Sequence, residues 1–284
     1  MQIGQTILNG LTYSGLLFLV SSGFTVMFGL MRVLNLAHGA FYLWGSYLGL
    51  VVVGATGSFL AGILVAAVAI AVLGLATEVA LFRRVRGNPV AEVLLTLGLG
   101  FVLGDLALAF FGGNPEQIAV PDLIGGSLDL FGITFPRYRL VLLAVAVVLF
   151  VALRFTLVGT RLGALIRAGV DDAEMLEGLG TNINRLATGV FVVSAALVGA
   201  TGVLGGAFLG VHPGGDIEIL VLAVVVVIIG GLGSLDGAAI GSVLIGLLVS
   251  VGSVFAPEFL YFIIYAPVIL LLFFRPRGLL GVAN

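Results

Sequence analysis

Residues 29–47, "GLMRVLNLAHGAFYLWGSY", place Arg32, Asn35 and His38 close together between two long apolar runs. Each run is long enough to cross about 30 Å of hydrocarbon as a helix of roughly 20 residues. The short polar break therefore reads as the junction of two membrane spans, and the rest of the chain extends that pattern. Of its 284 residues, 61% are hydrophobic and 9% charged, with a mean hydropathy of +1.29. Soluble domains carry about 25% charged residues. The fold expected is an all-α integral membrane protein, a polytopic bundle in a single transmembrane domain over residues 1–284.

Apolar segments fall at 6–31, 35–53, 58–82, 90–112, 139–158, 186–210, 217–232, 237–255 and 259–274. Arginines near span ends favour the cytoplasmic face. Arg32, Arg83, Arg84, Arg86, Arg154, Arg161, Arg167, Arg185, Arg275 and Arg277 then share one side, whereas Arg137 and Arg139 fall on the other. Nine spans with the N-terminus outside and the C-terminus cytoplasmic satisfy this parity. The segment 217–232 is short enough to be re-entrant, so the expected number is eight to ten. The first charged residue is Arg32, which leaves no basic leader before the first apolar segment, and that segment is expected to be retained.

Two connections are more than turns. Residues 113–138 contain "SLDLFGITF", whose partial alternation between apolar and polar residues predicts a small external β-hairpin. Residues 160–185 hold Asp171, Asp172, Glu174 and Glu177 between arginines and predict a short helix on the cytoplasmic side. "GLMRVLNLAHGAF" and "GGLGSLDGAAIGS" echo one another. An inverted repeat of the kind found in transporters and chance similarity in a glycine-rich chain account for that echo equally well.

Several reaction classes are excluded. There is no cysteine, hence no disulfide or cysteine-based metal site. There is no lysine, so no Walker A loop. No GxSxG elbow, HExxH pair or dinucleotide fingerprint occurs, and an enzyme is not expected. The polar residues of the first span, Asn9, Ser21, Ser22 and Thr25, recur three or four apart in part and can share a face. They line a path for a polar substrate or return their hydrogen bonds to the helix backbone. Asn35 and His38 are expected just inside the cytoplasmic boundary, and His38 has no neighbours at metal-ligand spacing. Glu78 and Glu92 have arginines nearby to pair with. Asp105, deep in the fourth span, calls for a partner on another helix, a watery cavity or protonation.

"FGLMRV" followed by "NLAHGAFY", then "RLGALIRAGVDDAEMLEGLGTNINR", then "GGLGSLDGAAIGSVLIG", in that order, resemble the membrane permease subunits of branched-chain amino acid ABC importers. The likeness covers nearly the whole chain. Asp236 departs from it, standing where a proline or another neutral or basic residue is common, as does Gly178 in place of alanine. Sister permeases for urea tend to have an acidic residue where this chain has Ala40, which favours amino acids.

The resemblance implies a multi-pass subunit of a bacterial inner membrane. It would be paired with a second, homologous or identical permease, two cytoplasmic ATPases that bind ATP and magnesium, and an external substrate-binding protein. No cofactor in this chain and no nucleic-acid partner are implied. It places Asn9, Ser21, Ser22, Thr25, Asn35 and His38 beside the substrate pathway, and makes residues 160–185 the loop that engages the ATPase. The candidates for that contact are Arg167, Asp171, Asp172, Glu174, Leu176, Glu177 and Leu179. Asp171 is expected to cap the loop helix in a capping-box-like arrangement with Glu174, and Gly180 to close it. Ala173, Leu176 and Leu179 would form its apolar stripe. That stripe suits a groove on the ATPase or the chain's own bundle. A secondary transporter or channel is the competing class, and only Asp105 could serve it as an ion-coupling group.

Overall fold

The computed structural model describes residues 2–32, 34–130 and 133–281. The chain runs α1 (Gln2–Met31), α2 (His38–Thr56), α3 (Phe59–Thr77), a π turn (Glu78–Phe82), α4 (Arg83–Val85) and α5 (Pro89–Phe111). After the β1–β2 hairpin (Ser127–Leu130 and Ile133–Pro136) come α6 (Arg137–Gly159), α7 (Arg161–Asp171), α8 (Ala173–Gly178) and α9 (Ile183–Leu209). The last elements are α10 (Gly215–Gly230), α11 (Leu235–Phe255), a 3-10 turn (Pro257–Phe259) and α12 (Leu260–Phe274). Among the described residues, eight helical segments are long and apolar enough to cross a membrane. The ninth apolar segment is α10, whose 16 residues rise about 24 Å, short of the hydrocarbon thickness.

Local chemistry sets the helix starts. Ser58, Asn88, Thr160, Asp172, Asn182 and Ser234 each accept a hydrogen bond from the backbone N–H three residues on, as N-caps do. Asn88 is followed by Pro89 at the first helical position, where a missing N–H costs nothing. The hairpin pairs antiparallel with Ser127 opposite Pro136 and Leu128 opposite Phe135, and its tip, Phe131 and Gly132, lies outside the described residues. The 160–185 stretch forms two helices, α7 and α8, where one was expected. The break comes at Asp172, which is extended (φ −152°, ψ 96°).

Helices α1 and α9 form the centre, with 78% and 72% of their apolar windows buried, against 11% for α6 and α12. They run antiparallel: Ser194 Oγ donates to the Gly23 carbonyl at 2.7 Å, and Tyr13 packs near Phe208 with ring centroids 6.3 Å apart. Helix α2 packs on α9 through glycine. A Cβ on Gly45 would lie 2.7 Å from Gly199 Cα, and one on Gly202 would lie 2.7 Å from the Ser46 nitrogen. Backbones meet here at a distance that no side chain allows, the lipid-phase packing mode in which small residues take the place of a hydrophobic driving force.

The hairpin and the α7–α8 pair cap opposite ends of the bundle, because the single span α6 separates them. The hairpin end is tied down by a backbone bridge between Glu116 and Val211, with N–H···O distances of 2.8 and 2.7 Å. At the arginine-rich end the C-terminal residues fold back. Leu279 and Leu280 donate their backbone N–H groups to the carbonyls of Ile229 and Gly230 at 2.8 and 2.9 Å. These carbonyls end α10 and would otherwise be unpaired.

Candidate functional site

Two helices begin inside the bundle, and their first turns meet. The first is α2. His38 is 1% exposed, and its Nε2 lies 3.0 Å from the Val20 carbonyl. Val20 precedes the end of α1 by three turns, about 16 Å along the axis at 1.5 Å per residue. Residues 34–37 therefore climb back between the helices before α2 starts. Its path is held by Thr96 Oγ1 donating to the Leu34 carbonyl at 3.4 Å and by Gly100, where a Cβ would lie 3.4 Å from the Leu36 oxygen. Asn35 Oδ1 accepts from the Ala37 N–H at 3.0 Å and organises the turn into α2. This corrects the expectation that Asn35 and His38 sit just inside a membrane boundary. Both are fully interior, and a climb decided by contacts with α1 and α5 leaves no periodic signal in residues 32–38.

The second is α10. Asp216, in its first turn, is 8% exposed. Beside it, a Cβ on Gly39 would lie 2.8 Å from Leu220 Cβ, and a Cβ on Gly104 would lie 3.0 Å from Asp216 Oδ2. The pairs α1–α2 and α9–α10 thus repeat one design in opposite directions: a long central helix, a break, and a shorter helix whose N-terminus starts within the bundle. Transporters place substrate and ion sites at such breaks. The counterpart of residues 32–37 is the α9–α10 connection, residues 210–214, and not the "GGLGSLDGAAIGS" stretch whose composition echoes it.

Of the first-span candidates, Ser21 and Thr25 are 0% and 1% exposed, and their hydroxyls find no hydrogen-bond partner among the described residues. They continue the α1 face whose Ser14 reaches Gly10 and Val243. Ser22 bonds back to the Leu19 carbonyl at 2.8 Å. Asn9 accepts from Arg139, whose guanidinium lies over the Phe208 ring at 5.2 Å.

The acids sort differently from expectation. Glu78 is 0% exposed and is paired with Arg83 at 3.3 Å and Arg86 at 2.6 Å; Thr188 Oγ1 donates to it at 3.0 Å. Glu92 instead accepts the backbone N–H of Gly87 at 2.9 Å, since a carboxylate at a helix start is best placed to satisfy a free N–H. Asp105 projects from the exposed side of α5 and has no hydrogen bond or ion pair within the described chain. A charge there costs about 2.5–3.5 kcal/mol in lipid, so this face of α5 calls for protein or water.

At the arginine-rich end, Arg167 donates to the Leu157 carbonyl and fastens α7 to the C-terminus of α6. The cap of α8 is Asp172, with Oδ1 2.9 Å from the Met175 nitrogen, in place of the expected Asp171. The side chains of Asp171 and Ala173 lie outside the described residues. Gly180 adopts φ +87° after α8, as a helix-closing glycine does. Leu176 is 6% exposed and packs inward, toward Gly169 of α7. Leu179 and Met175 are 74% and 65% exposed, and Glu174 and Glu177 are exposed beside them. The outward apolar pair, Met175 and Leu179, is spaced i and i+4. Sequence reading missed Met175 because its stripe was phased on Leu176.

A polytopic helical bundle with paired, oppositely directed broken helices defines a membrane transport protein. Residues 6–272 match the family described as the permease component of the branched-chain amino acid transport system, and the chain belongs to that family, the permeases of ABC importers. It is 27% identical to the high-affinity branched-chain amino acid transport system permease protein BraD of Pseudomonas aeruginosa, over 98% of this chain and 95% of that one. It is 29% identical to LivH of Escherichia coli over the same shares. It is also 27% identical to a probable LivH of Methanocaldococcus jannaschii, over 98% of this chain and 93% of that one. No solved structure matches it.

Proposed function

We propose that this chain is the membrane-spanning half of an ATP-driven importer for branched aliphatic amino acids, loaded by an external binding protein and driven by separate ATPase chains that carry ATP and magnesium. The permease pair is completed by a second homologous or identical subunit, in a bacterial inner membrane with the C-terminus and the α7–α8 end cytoplasmic. The observation that carries the reading is the outward pair formed by Met175 on α8 and Leu179 at its C-cap. A six-residue helix is unstable by itself, yet this one is capped by Asp172 and packed on α7 through Leu176, and the segment presents two bare apolar side chains rimmed by Asp172, Glu174 and Glu177. That is the form of a knob for a groove on another chain with a basic rim.

The pathway candidates are the buried, unpartnered Ser21 and Thr25 together with Asn9, Ser22, Asn35 and His38. A lining of glycine, aliphatic groups and a few hydroxyls suits a small zwitterion with an apolar side chain better than a phosphate or sugar.

Leu179→Asp should abolish co-purification of the ATPase and ATP-dependent uptake of leucine, isoleucine and valine, with the permease still inserted and folded. Leu176→Asp should unfold the α7–α8 pair, because its charge would be buried against Gly169. Normal ATPase association by Leu179→Asp, or uptake of urea but of none of the three amino acids, would overturn the reading.

A further inference from the structure

Among the described residues, Asp105 is the one charged side chain that lies on an outward span face, back from both ends of its span, with no ion pair. It sits at the centre of the exposed side of α5, opposite the buried Thr96, Leu103 and Ala107. Phe111, six residues on, ends the helix, which puts Asp105 about 9 Å from that end, farther than a short carboxylate side chain can reach. Arg154, set back from the end of α6, has its partner in Asp236 at 3.1 Å. An ionisable group at such depth faces protein or a watery cavity. Water is the poorer occupant, because Leu94, Phe101, Val102 and Leu108 surround Asp105 on the same face and are themselves exposed. Gly98 lies two turns earlier on that face with no atom within 4 Å of its Cβ position, so a second backbone can come close there.

The inner side of α5 gives such a contact its reach. A Cβ on Gly100 would lie 3.4 Å from the Leu36 oxygen, just ahead of α2, and one on Gly104 would lie 3.0 Å from Asp216 Oδ2 in the first turn of α10. Helix α5 is thus a single layer, about 10 Å across, between both helix breaks and its own outer face.

We propose that the outward face of α5 is where the second permease subunit docks, with Asp105 accepting a hydrogen bond from a donor on that subunit. The inference rests on the importer reading above, which calls for a paired permease, and adds the surface that receives it. The occupant is a homologous chain and not a second copy. A two-fold contact between copies, centred on Asp105, would set carboxylate against carboxylate in a medium of low dielectric. A homologous chain with an arginine, serine or other donor at that depth satisfies the carboxylate instead. Through α5, movement at this interface reaches both helix breaks.

The test uses the intact transporter in membrane vesicles, with the photo-cross-linker p-benzoylphenylalanine placed by stop-codon suppression at Phe101 of α5, Val148 of α6 or Ile269 of α12. These positions are comparably exposed, at 57%, 68% and 67%, so exposure alone cannot separate them. Phe101 should cross-link to a chain that mass spectrometry identifies as a second permease of the family, and Val148 and Ile269 to lipid. Asp105→Leu should lower co-purification of that second permease about tenfold, the loss expected of one charge-assisted hydrogen bond. Asp105→Asn keeps an acceptor and should stay within about threefold of wild type. Asp105 makes no bond inside its own chain, so the Asp105→Leu permease should insert normally and resist SDS at least as well as wild type. In a transporter that takes up leucine with ATP, three results would overturn the docking face and leave the importer reading standing. These are cross-links from Phe101 to lipid alone, cross-links from Phe101 to a second copy of this chain, and co-purification by Asp105→Leu within about twofold of wild type. A wild-type preparation that holds no second permease and takes up no leucine would overturn both.

Discussion

Substituting Gly45 by alanine tests whether the α2–α9 contact sets the position of the broken helix. The new Cβ would lie 2.7 Å from Gly199 Cα and 2.9 Å from its carbonyl carbon, where ordinary van der Waals contact needs about 3.5–4.0 Å. All nearby atoms belong to backbone within a helix, so no rotamer change relieves the clash, and the helices must part by roughly 1 Å. Overpacking of this kind costs about 1–3 kcal/mol, and a rigid neighbour puts this site at the upper end. Separation also stretches the hydrogen bond from Ser46 Oγ to the Gly202 carbonyl, 2.8 Å long, worth about 1 kcal/mol. Against this, alanine in a helix gains up to about 1 kcal/mol over glycine. The net is destabilisation by roughly 2–3 kcal/mol.

Gly98→Ala is the matched control, since no atom lies within 4 Å of its Cβ position, and it should be neutral or stabilising. Reversible SDS titration in mixed micelles reads both variants through Trp44, the only tryptophan of the chain, which adjoins Gly45 and donates to the Leu103 carbonyl at 2.8 Å. Coincident titration curves for Gly45→Ala and Gly98→Ala would refute the argument that backbone contact at glycine holds α2 in place.

Because the chain has no cysteine, single cysteines at Ser127 and Thr181 report sidedness directly. An impermeant maleimide should label the first only from outside and the second only from the cytoplasmic side, and labelling of both from one side would contradict the topology. Glu78→Gln should destabilise the arginine-rich end by about 1–3 kcal/mol, because Arg83 and Arg86 lose a charged partner but can still reach water. Limited proteolysis should show faster cleavage at residues 83–88 with α1 and α11 still protected, and an unchanged pattern would remove the ion-pair network from the account.

Much of the architecture was legible in the residues. The hydrophobic lengths marked out the helices, including the short α10, because leaving water is a property that each segment carries by itself. The N-cap of the loop helix was read one residue early, at Asp171 for Asp172, because a cap is a contact across three residues whose register depends on where the preceding helix α7 ends. The hairpin was legible from its local alternation. The arginines sorted the two ends of the bundle for the same reason that they cannot lie in hydrocarbon.

The tertiary structure decided what those segments do to one another. Residues 34–38 read as a boundary, yet contacts with Val20 and Thr96 hold them in the interior. Leu176 and Leu179 read as one stripe, yet Gly169 of α7 takes the first inward and leaves the second bare. Glu92 was placed among arginines and found a backbone N–H, while Asp105 turned to the outer face of α5. In each case the deciding partner is far away in sequence or on a neighbouring helix. In a bundle where glycine lets backbones approach closely, the side chain that meets each surface depends on helix rotation and depth. Those are set by contacts of the whole chain at once, and no single segment carries them.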